Sequence, residues 1–346
     1  MALEKTEESI LTGSVQQHFP LVSVLIPVYN RETLLAPCVQ SALEQTVADI
    51  EIVVVDNAST DGTWQLCREM AAQDPRVRVF RNDENLGPVR NWLRCAEEAR
   101  GIYGKILFSD DLMAPDYLEK TVPLLQRDDV GFAFTSAIVG PEPFQGEVRY
   151  QFSRQSGLFA SSRYISMALF NGDVPLSPGG ALFRMRDVRE NLLLGVPSPT
   201  IHDFPRHGAG PDLLLYLVTA ARYPQVAYLD EPLSYFRAHE GSITVSKEKL
   251  YLNRCYRQAR LWFAERYLAE TWLKRLYAYE WKRECHEMGK REKTSEIVAR
   301  YTATRLTLTP LDLASGLALS RLVKKGTLTV PAGRGKPGNL RPNHVC

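Results

Sequence analysis

Two adjacent carboxylates, Asp110 and Asp111, stand directly behind the apolar run Ile106-Leu107-Phe108 in the stretch KILFSDDLMAPDYLE. Like charges side by side repel, and a buried strand tolerates neither without a partner. Asp56 holds the matching place at the end of IEIVVVD, and Tyr29-Asn30-Arg31-Glu32 follows LVSVLIPV. If these three strand ends share one edge of a sheet, two or three carboxylates meet in a crevice. Carboxylates that close need a cation. Magnesium or manganese suits them, since such ions take one or two carboxylates and draw the remaining ligands from substrate phosphates. The donor set therefore points to a nucleoside diphosphate.

The elements that must position these residues follow from the apolar pattern. LVSVLIPV (21–28), IEIVVVD (50–56), VRVFR (77–81) and KILFS (105–109) read as strands, and VGFAFTSAIV (130–139) as a fifth. Between them RETLLAPCVQSALEQT, GTWQLCREMAAQ, GPVRNWLRCAEEAR and APDYLEKTVPLLQ read as helices. Strands alternating with helices of this length predict βαβ units and a parallel sheet covered on both faces. In such sheets ligands sit beyond the carboxyl ends of the strands, where the acids are. From 140 to 211 Gly, Pro and Ser accumulate in loops; DLLLYLVTAARY is then helical, and QVAYLD and LSYFRAH are strand-like. Helical patterning runs from about 245 to 308, a short amphipathic helix covers 310–325, and the Pro/Gly-rich tail is expected to be disordered.

Composition narrows the class. At 346 residues, with 45% hydrophobic and 24% charged residues, the chain suits a soluble globular protein with room for a large domain and an appendage. Its six cysteines are scattered without C-x-x-C or zinc-like spacing, and the N-terminus has no signal-peptide pattern, so a reduced, cytoplasmic setting is expected. PVYNRETL after the first strand is not a dinucleotide-binding G-x-G-x-x-G, and no P-loop is present. Residues 247–346 hold 21 Lys and Arg against 9 Asp and Glu, so within a net charge of +2 the first 246 residues carry −10.

VSVLIPVYNRETLLAPCVQSALEQT, EIVVVDNASTDGT, NLGPVRNWLRCAEEARG and KILFSDDLMAPDYLE resemble, in order and spacing, the successive blocks of family 2 glycosyltransferases. GPDLLLYLVTA and PLSYFRAHEGSIT extend the likeness, so it covers about 21–246. The resemblance implies a GT-A fold: α/β, with a Rossmann-like, mostly parallel sheet flanked by helices, here followed by a helical C-terminal extension. It implies a sugar transferase acting on a UDP- or dTDP-sugar, inverting and dependent on Mn2+ or Mg2+. By the same likeness Pro27, Tyr29, Asn30 and Glu32 would wall the nucleobase and ribose, and Asp56 would accept from the base. Arg90 and Asn91 would approach the nucleotide, Asp110 the ribose or metal, and Asp111 the metal itself. Leu112 stands where the family's motif has its third acid, so His239 is a candidate to complete the metal site. Asp212, opening a helix after the Gly-rich RHGAGP loop, would be the general base. His202 and His207 are assigned to a loop over the substrate, and Asp203 is the competing carboxylate.

The resulting division is a polar segment (1–20), a glycosyltransferase domain (21–246), a basic helical extension (247–325) and a tail (326–346). Within the domain, 21–136 is the nucleotide-binding half and 137–246 the acceptor-binding half. The acceptor is expected to be a saccharide or lipid-linked saccharide in cell-surface glycan synthesis. The basic extension invites three readings: packing on the domain, a dimer contact, or peripheral attachment to an anionic membrane with 310–325 in the interface. Nucleic acid is not expected, because the acidic half would repel it. Two alternatives to the transferase are a nucleotidyltransferase, which would need a Gly- and Lys/Arg-rich phosphate loop after the first strand, and an inactive scaffold acting through its basic helices.

Overall fold

The computed structural model describes residues 19–238 and 249–331. Strands β1 (Val22–Val28), β2 (Ile50–Asp56), β3 (Val77–Arg81) and β4 (Tyr103–Ile106) alternate with helices α1 (Leu35–Leu43), α2 (Thr63–Gln73) and α3 (Pro88–Glu98). Next come β5 (Leu112–Met113), α4 (Tyr117–Leu125), β6 (Val130–Glu142), β7 (Gln145–Arg149), β8 (Gly157–Ala160) and α5 (Ser161–Leu169). The chain continues through β9 (Ala181–Arg184), α6 (Met185–Asn191), α7 (Pro211–Arg222) and β10 (Gln225–Arg237). It ends in α8 (Lys249–Tyr267), α9 (Glu270–Glu287), α10 (Thr294–Tyr301) and α11 (Pro310–Lys324).

These strands form a single sheet in the order β3-β2-β1-β4-β9-β6-β10-β5. β3, β2, β1 and β4 are mutually parallel; β9 is antiparallel to both neighbours, and β6 and β10 pair parallel beyond it. Alternate residues of the same strand enter different cores. Leu25, Val53, Val55 and Ile106 join the core under α5, α7, α8 and α9, whereas Val24, Ile26, Ile52 and Val54 join the one under α1, α2 and α4. Both faces are covered, which is why the strands read as unbroken apolar runs rather than alternating ones.

Two boundaries differ from the sequence reading for physical reasons. β4 stops at Ile106 instead of running through Ser109, because Asp111 N–H closes a turn on the Phe108 carbonyl (2.9 Å) and swings both acids off the sheet. The segments QVAYLD and LSYFRAH are one strand, β10, whose register slips between Leu229 and Ser234 around Pro232. Proline has no N–H for the ladder, so an irregularity there is expected.

The extension packs onto the domain. α8 lies against α7, and Gly316 brings α11 so close to α9 that an added Cβ would sit 2.6 Å from the Arg275 carbonyl oxygen. The inward face of α11, with Gly316, Ser320 and Val323, is thereby used in packing, while Leu311 and Leu322 remain exposed. α8 is held in register by Arg257, which is 0% exposed and ion-paired to Glu280 (3.0 Å), Glu284 (3.4 Å) and Glu287 (3.1 Å). Burial alone would raise the Glu280 pKa, but Arg257, Arg260 and Arg283 outweigh it and hold the group below the usual carboxylate range. Among the described residues no helix is long and apolar enough to cross a membrane.

Candidate functional site

The pairings Val28↔Asp56 and Leu25↔Ile106 bring the carboxyl ends of β1, β2 and β4 to one edge of the sheet. After β1 the chain turns through Asn30 at φ 50°, a left-handed conformation that asparagine adopts more readily than most residues. That turn is stitched to the loop after β2. Asn30 N–H donates to Ser59 Oγ (2.9 Å), Thr60 N–H to Asn30 Oδ1 (2.9 Å) and Gly62 N–H to Glu32 Oε2 (2.8 Å). Asn30 and Glu32 thus build the seam between the loops. Tyr29 stands 40% exposed beside them, and Pro27 is buried within β1 opposite Val55.

Asp56 is fully buried at the end of β2, where Ser59 N–H reaches both carboxylate oxygens at 3.3 Å and Arg81 Nε lies 3.0 Å away. The α3 pair divides. Arg90 is exposed, whereas the Asn91 amide donates to the Val55 carbonyl (3.0 Å) and accepts from Asn82 (2.9 Å). Asn82 also donates to Asn57 Oδ1 (2.9 Å), so a buried asparagine chain braces the end of β2 against the start of α3. Asn91 belongs to that brace.

Asp111 is 7% exposed and accepts from Arg237 N–H (3.0 Å), while the Arg237 guanidinium donates to the Asp110 carbonyl (3.2 Å). Arg31 Nε lies 3.7 Å from the Asp110 carboxylate. Burial and then the Asp110 charge push the Asp111 carboxyl well above the usual range; Arg237 and Lys105 counter this only in part. Lys105 is buried, with its ammonium donating to the Gly179 carbonyl and sitting 4.2 Å from the Tyr117 ring centroid. Burial lowers its pKa to about 7 despite the attraction of Asp111. Leu112 opens β5 and pairs with Tyr235, so the third motif position belongs to the sheet rather than to the crevice. His239 lies outside the described residues, just past the end of β10. Among the described residues no three His, Cys, Asp or Glu side chains gather as ligands. The pair Asp110–Asp111 nevertheless fits Mg2+ or Mn2+ in the mode where phosphate oxygens and water supply most of the shell.

Asp212 occupies the first turn of α7. The approach needs Gly208 (φ 79°), where a Cβ would meet the Trp92 ring at 2.4 Å, and Gly210 (φ 106°), where it would meet Phe204 at 2.4 Å. Asp212 Oδ1 accepts from Gly210 N–H (2.7 Å) and Leu213 N–H (2.6 Å), and Oδ2 from the Tyr256 hydroxyl (2.6 Å). Burial raises its pKa to about 7, the hydrogen bonds from Tyr256, Leu213 and Gly210 opposing that rise. Trp92, against which Gly208 packs, also meets Phe108 at 5.2 Å between centroids, tying the Asp212 loop to the turn that carries Asp110. The Tyr150 phenol is pushed up to about 12 by burial, with Asp173, Asp111 and Asp212 adding to the shift. One phenol thus lies within electrostatic reach of both Asp111 and Asp212. His202 is exposed; His207 meets the Tyr251 ring at 5.8 Å, and the Tyr251 hydroxyl donates to the Asp203 carbonyl (3.0 Å). Arg81, Tyr150, Arg237 and Tyr256 escaped the sequence reading, because their relation to the acids arises only when distant segments fold together.

Comparison with known proteins agrees with this geometry. Residues 23–192 match the model of the family described as "Glycosyl transferase family 2". The chain is 36% identical to chondroitin synthase of Escherichia coli over 126 residues, which is 36% of this chain and 17% of that protein. It is 35% identical to glycosyltransferase GlyG of Streptococcus pneumoniae over 109 residues, 32% of this chain and 36% of the relative. The chain therefore spans well under half the length of these curated relatives. Among solved structures, S. aureus TarS residues 1–349 in complex with UDP-GlcNAc superposes with a TM-score of 0.57 at 18% identity, covering 88% of this chain and 81% of that one. That likeness concerns the fold, which is GT-A in both. Residues 23–192, carrying Asp56, Asp110 and Asp111 at one sheet edge, belong to glycosyltransferase family 2.

Proposed function

We propose that this protein transfers a sugar from a UDP- or dTDP-sugar to an acceptor hydroxyl in a single inverting displacement. The observation that carries this reading is Asp212: a carboxyl pushed by burial to about 7, on a loop whose Gly208 packs against Trp92, which in turn meets Phe108 beside the Asp110–Asp111 turn. A group with that affinity for protons can remove one from a hydroxyl near neutral pH. Tyr29, left exposed on the stitched loops, is suited to stack on a nucleobase, and buried Asp56 to orient the base or ribose. Asp110 and Asp111 would hold Mg2+ or Mn2+, with His239 a further candidate ligand. The cation, when bound, supplies charge neutralisation for the departing diphosphate. On the acceptor side, Asp212 would take the hydroxyl proton through Oδ2 as the hydroxyl oxygen attacks the anomeric carbon and the bond to the diphosphate breaks. The names of the matched relatives support an acceptor in polysaccharide synthesis, such as a growing saccharide or its lipid-linked form.

A nucleotidyltransferase is less well supported, since the loop after β1 is a Tyr-Asn-Arg-Glu turn without a phosphate-cradling glycine run. Peripheral attachment to an anionic membrane is a separate proposal, resting on the groove that α11 forms with the end of α9. The inner face of α11 is engaged on α9, but Lys282, His286 and Arg291 are exposed around a cavity of about 710 Å³ floored by Trp281, Leu313 and Leu317. Cations rimming an apolar floor suit the headgroup region of an acidic lipid.

Three outcomes are expected. Asp111→Asn should abolish manganese-dependent UDP binding in calorimetry, and unchanged binding would move the metal site elsewhere. Asp212→Asn should keep nucleotide affinity while transfer falls by about 10²–10⁴-fold, the usual worth of a positioned base; near wild-type turnover would refute its role. The double variant Lys282→Glu/Arg291→Glu should lower co-sedimentation with phosphatidylserine vesicles several-fold, and an unaltered pellet would reject attachment through this face.

A further inference from the structure

We propose that Tyr256, carried by the helical extension, is a positioning residue that fixes which lone pair of Asp212 faces the acceptor. This rests on the proposed base role of Asp212, which like Tyr256 lies beyond the matched residues 23–192, and extends it to a residue of the helical extension. A carboxylate offers about four lone-pair directions, two on each oxygen. Asp212 Oδ1 receives both the Gly210 and Leu213 N–H groups, at 2.7 and 2.6 Å, and so has no lone-pair direction left for a substrate. Oδ2 receives the Tyr256 hydroxyl at 2.6 Å, which fills one of its two directions. A single direction remains, and the tyrosine determines where it points. Without that hydroxyl, Oδ2 would present two equivalent directions, and water could occupy the wrong one.

Tyr256 is itself held from behind. The Arg260 guanidinium lies 5.9 Å from its ring centroid and is anchored by the Ala168 carbonyl (2.9 Å) and Glu280 (3.5 Å). One turn away, Arg257 locks α8 to α9 through its three glutamates. The extension therefore transmits its own packing to the base. The groups that act electrostatically with Asp212 come from several elements: Cys255 and Arg260 on α8, Tyr164 on α5, Tyr216 on α7, and Tyr150 after β7. Of these, Arg260 carries charge at neutral pH and favours the ionised carboxylate, as does the Tyr256 hydrogen bond.

The direction of the effect follows. Donation by Tyr256 stabilises the ionised form, so its removal should raise the Asp212 pKa and shift the acidic limb of the pH–rate profile to higher pH. Tyr256→Phe keeps the ring and its packing. In the full-length protein, with manganese and the preferred nucleotide sugar, this variant should lower kcat about tenfold at pH 7. About fivefold of that loss should be regained by pH 9, the acidic limb moving up by about one unit, while a residual loss of about twofold from misorientation persists and donor KM stays unchanged. A profile superimposable on wild type, or a loss regained in full at high pH, would overturn the proposal. Asp212→Asn separates this failure from failure of the base reading. If Asp212→Asn is inactive while Tyr256→Phe shows no pH shift, only the positioning role falls; if Asp212→Asn turns over normally, the base assignment and the positioning role fall together.

Discussion

Everything at this site follows from the difficulty of keeping carboxylates ionised in a crevice that the sheet itself closes off from water. Asp111 has the repulsion of Asp110 on one side and burial on the other, and both push its pKa up. Arg237 and Lys105 counter that without removing it, Lys105 being itself driven toward neutrality by burial, while Arg31 stands beside Asp110. A site arranged this way favours an added cation over a bare pair of acids, and a diphosphate brings both charge and oxygen ligands to share. Asp212 faces the same problem with the opposite resolution. Three donors hold its carboxylate in place, but burial prevails and leaves the pKa near 7, where a base is useful. On the proposed reading, environment divides the acids into a cation-seeking pair and a proton acceptor.

The second constraint is mechanical. Asp212 opens α7 after a loop that needs two left-handed glycines and leans on Trp92, so its position depends on α3 as well as on its own helix. The extension adds a contact from the other side through Tyr256. Because α8 is fixed by a buried ion network, the extension holds Asp212 from its own side through the Tyr256 hydroxyl. Under the proposed base role it belongs to the site rather than being an appendage to it.

Much of the nucleotide side was legible in the sequence. Apolar strands with polar ends are a local signal, and β1, β2 and β3 lie where their patterns placed them. The Asp110–Asp111 turn was visible as a pair, although the strand before it is shorter than its apolar run implied, since the turn claims residues 108–111. Asn91 is expected from the resemblance to approach the nucleotide; its amide also donates to Val55 and accepts from Asn82, a bracing partnership that no spacing rule encodes. The basic charge of the last hundred residues was legible, but its use was not. Arg257, Arg260 and Arg300 are drawn inward to glutamates, leaving cations such as Lys282 and Arg291 to face solvent. Tyr256 carried no sequence signal, because a tyrosine on a helix is ordinarily packing and only the fold brings it to Asp212.

The central claim is a single displacement in which one carboxylate serves as base and none as nucleophile. The anomeric configuration of the product tests it most directly, read by proton NMR at early times with the nucleotide sugar that most raises the melting temperature in the presence of manganese. An α-linked donor should give a β-linked product from the first turnover. An α-linked product would require a covalent intermediate or a front-face route, and would contradict the account.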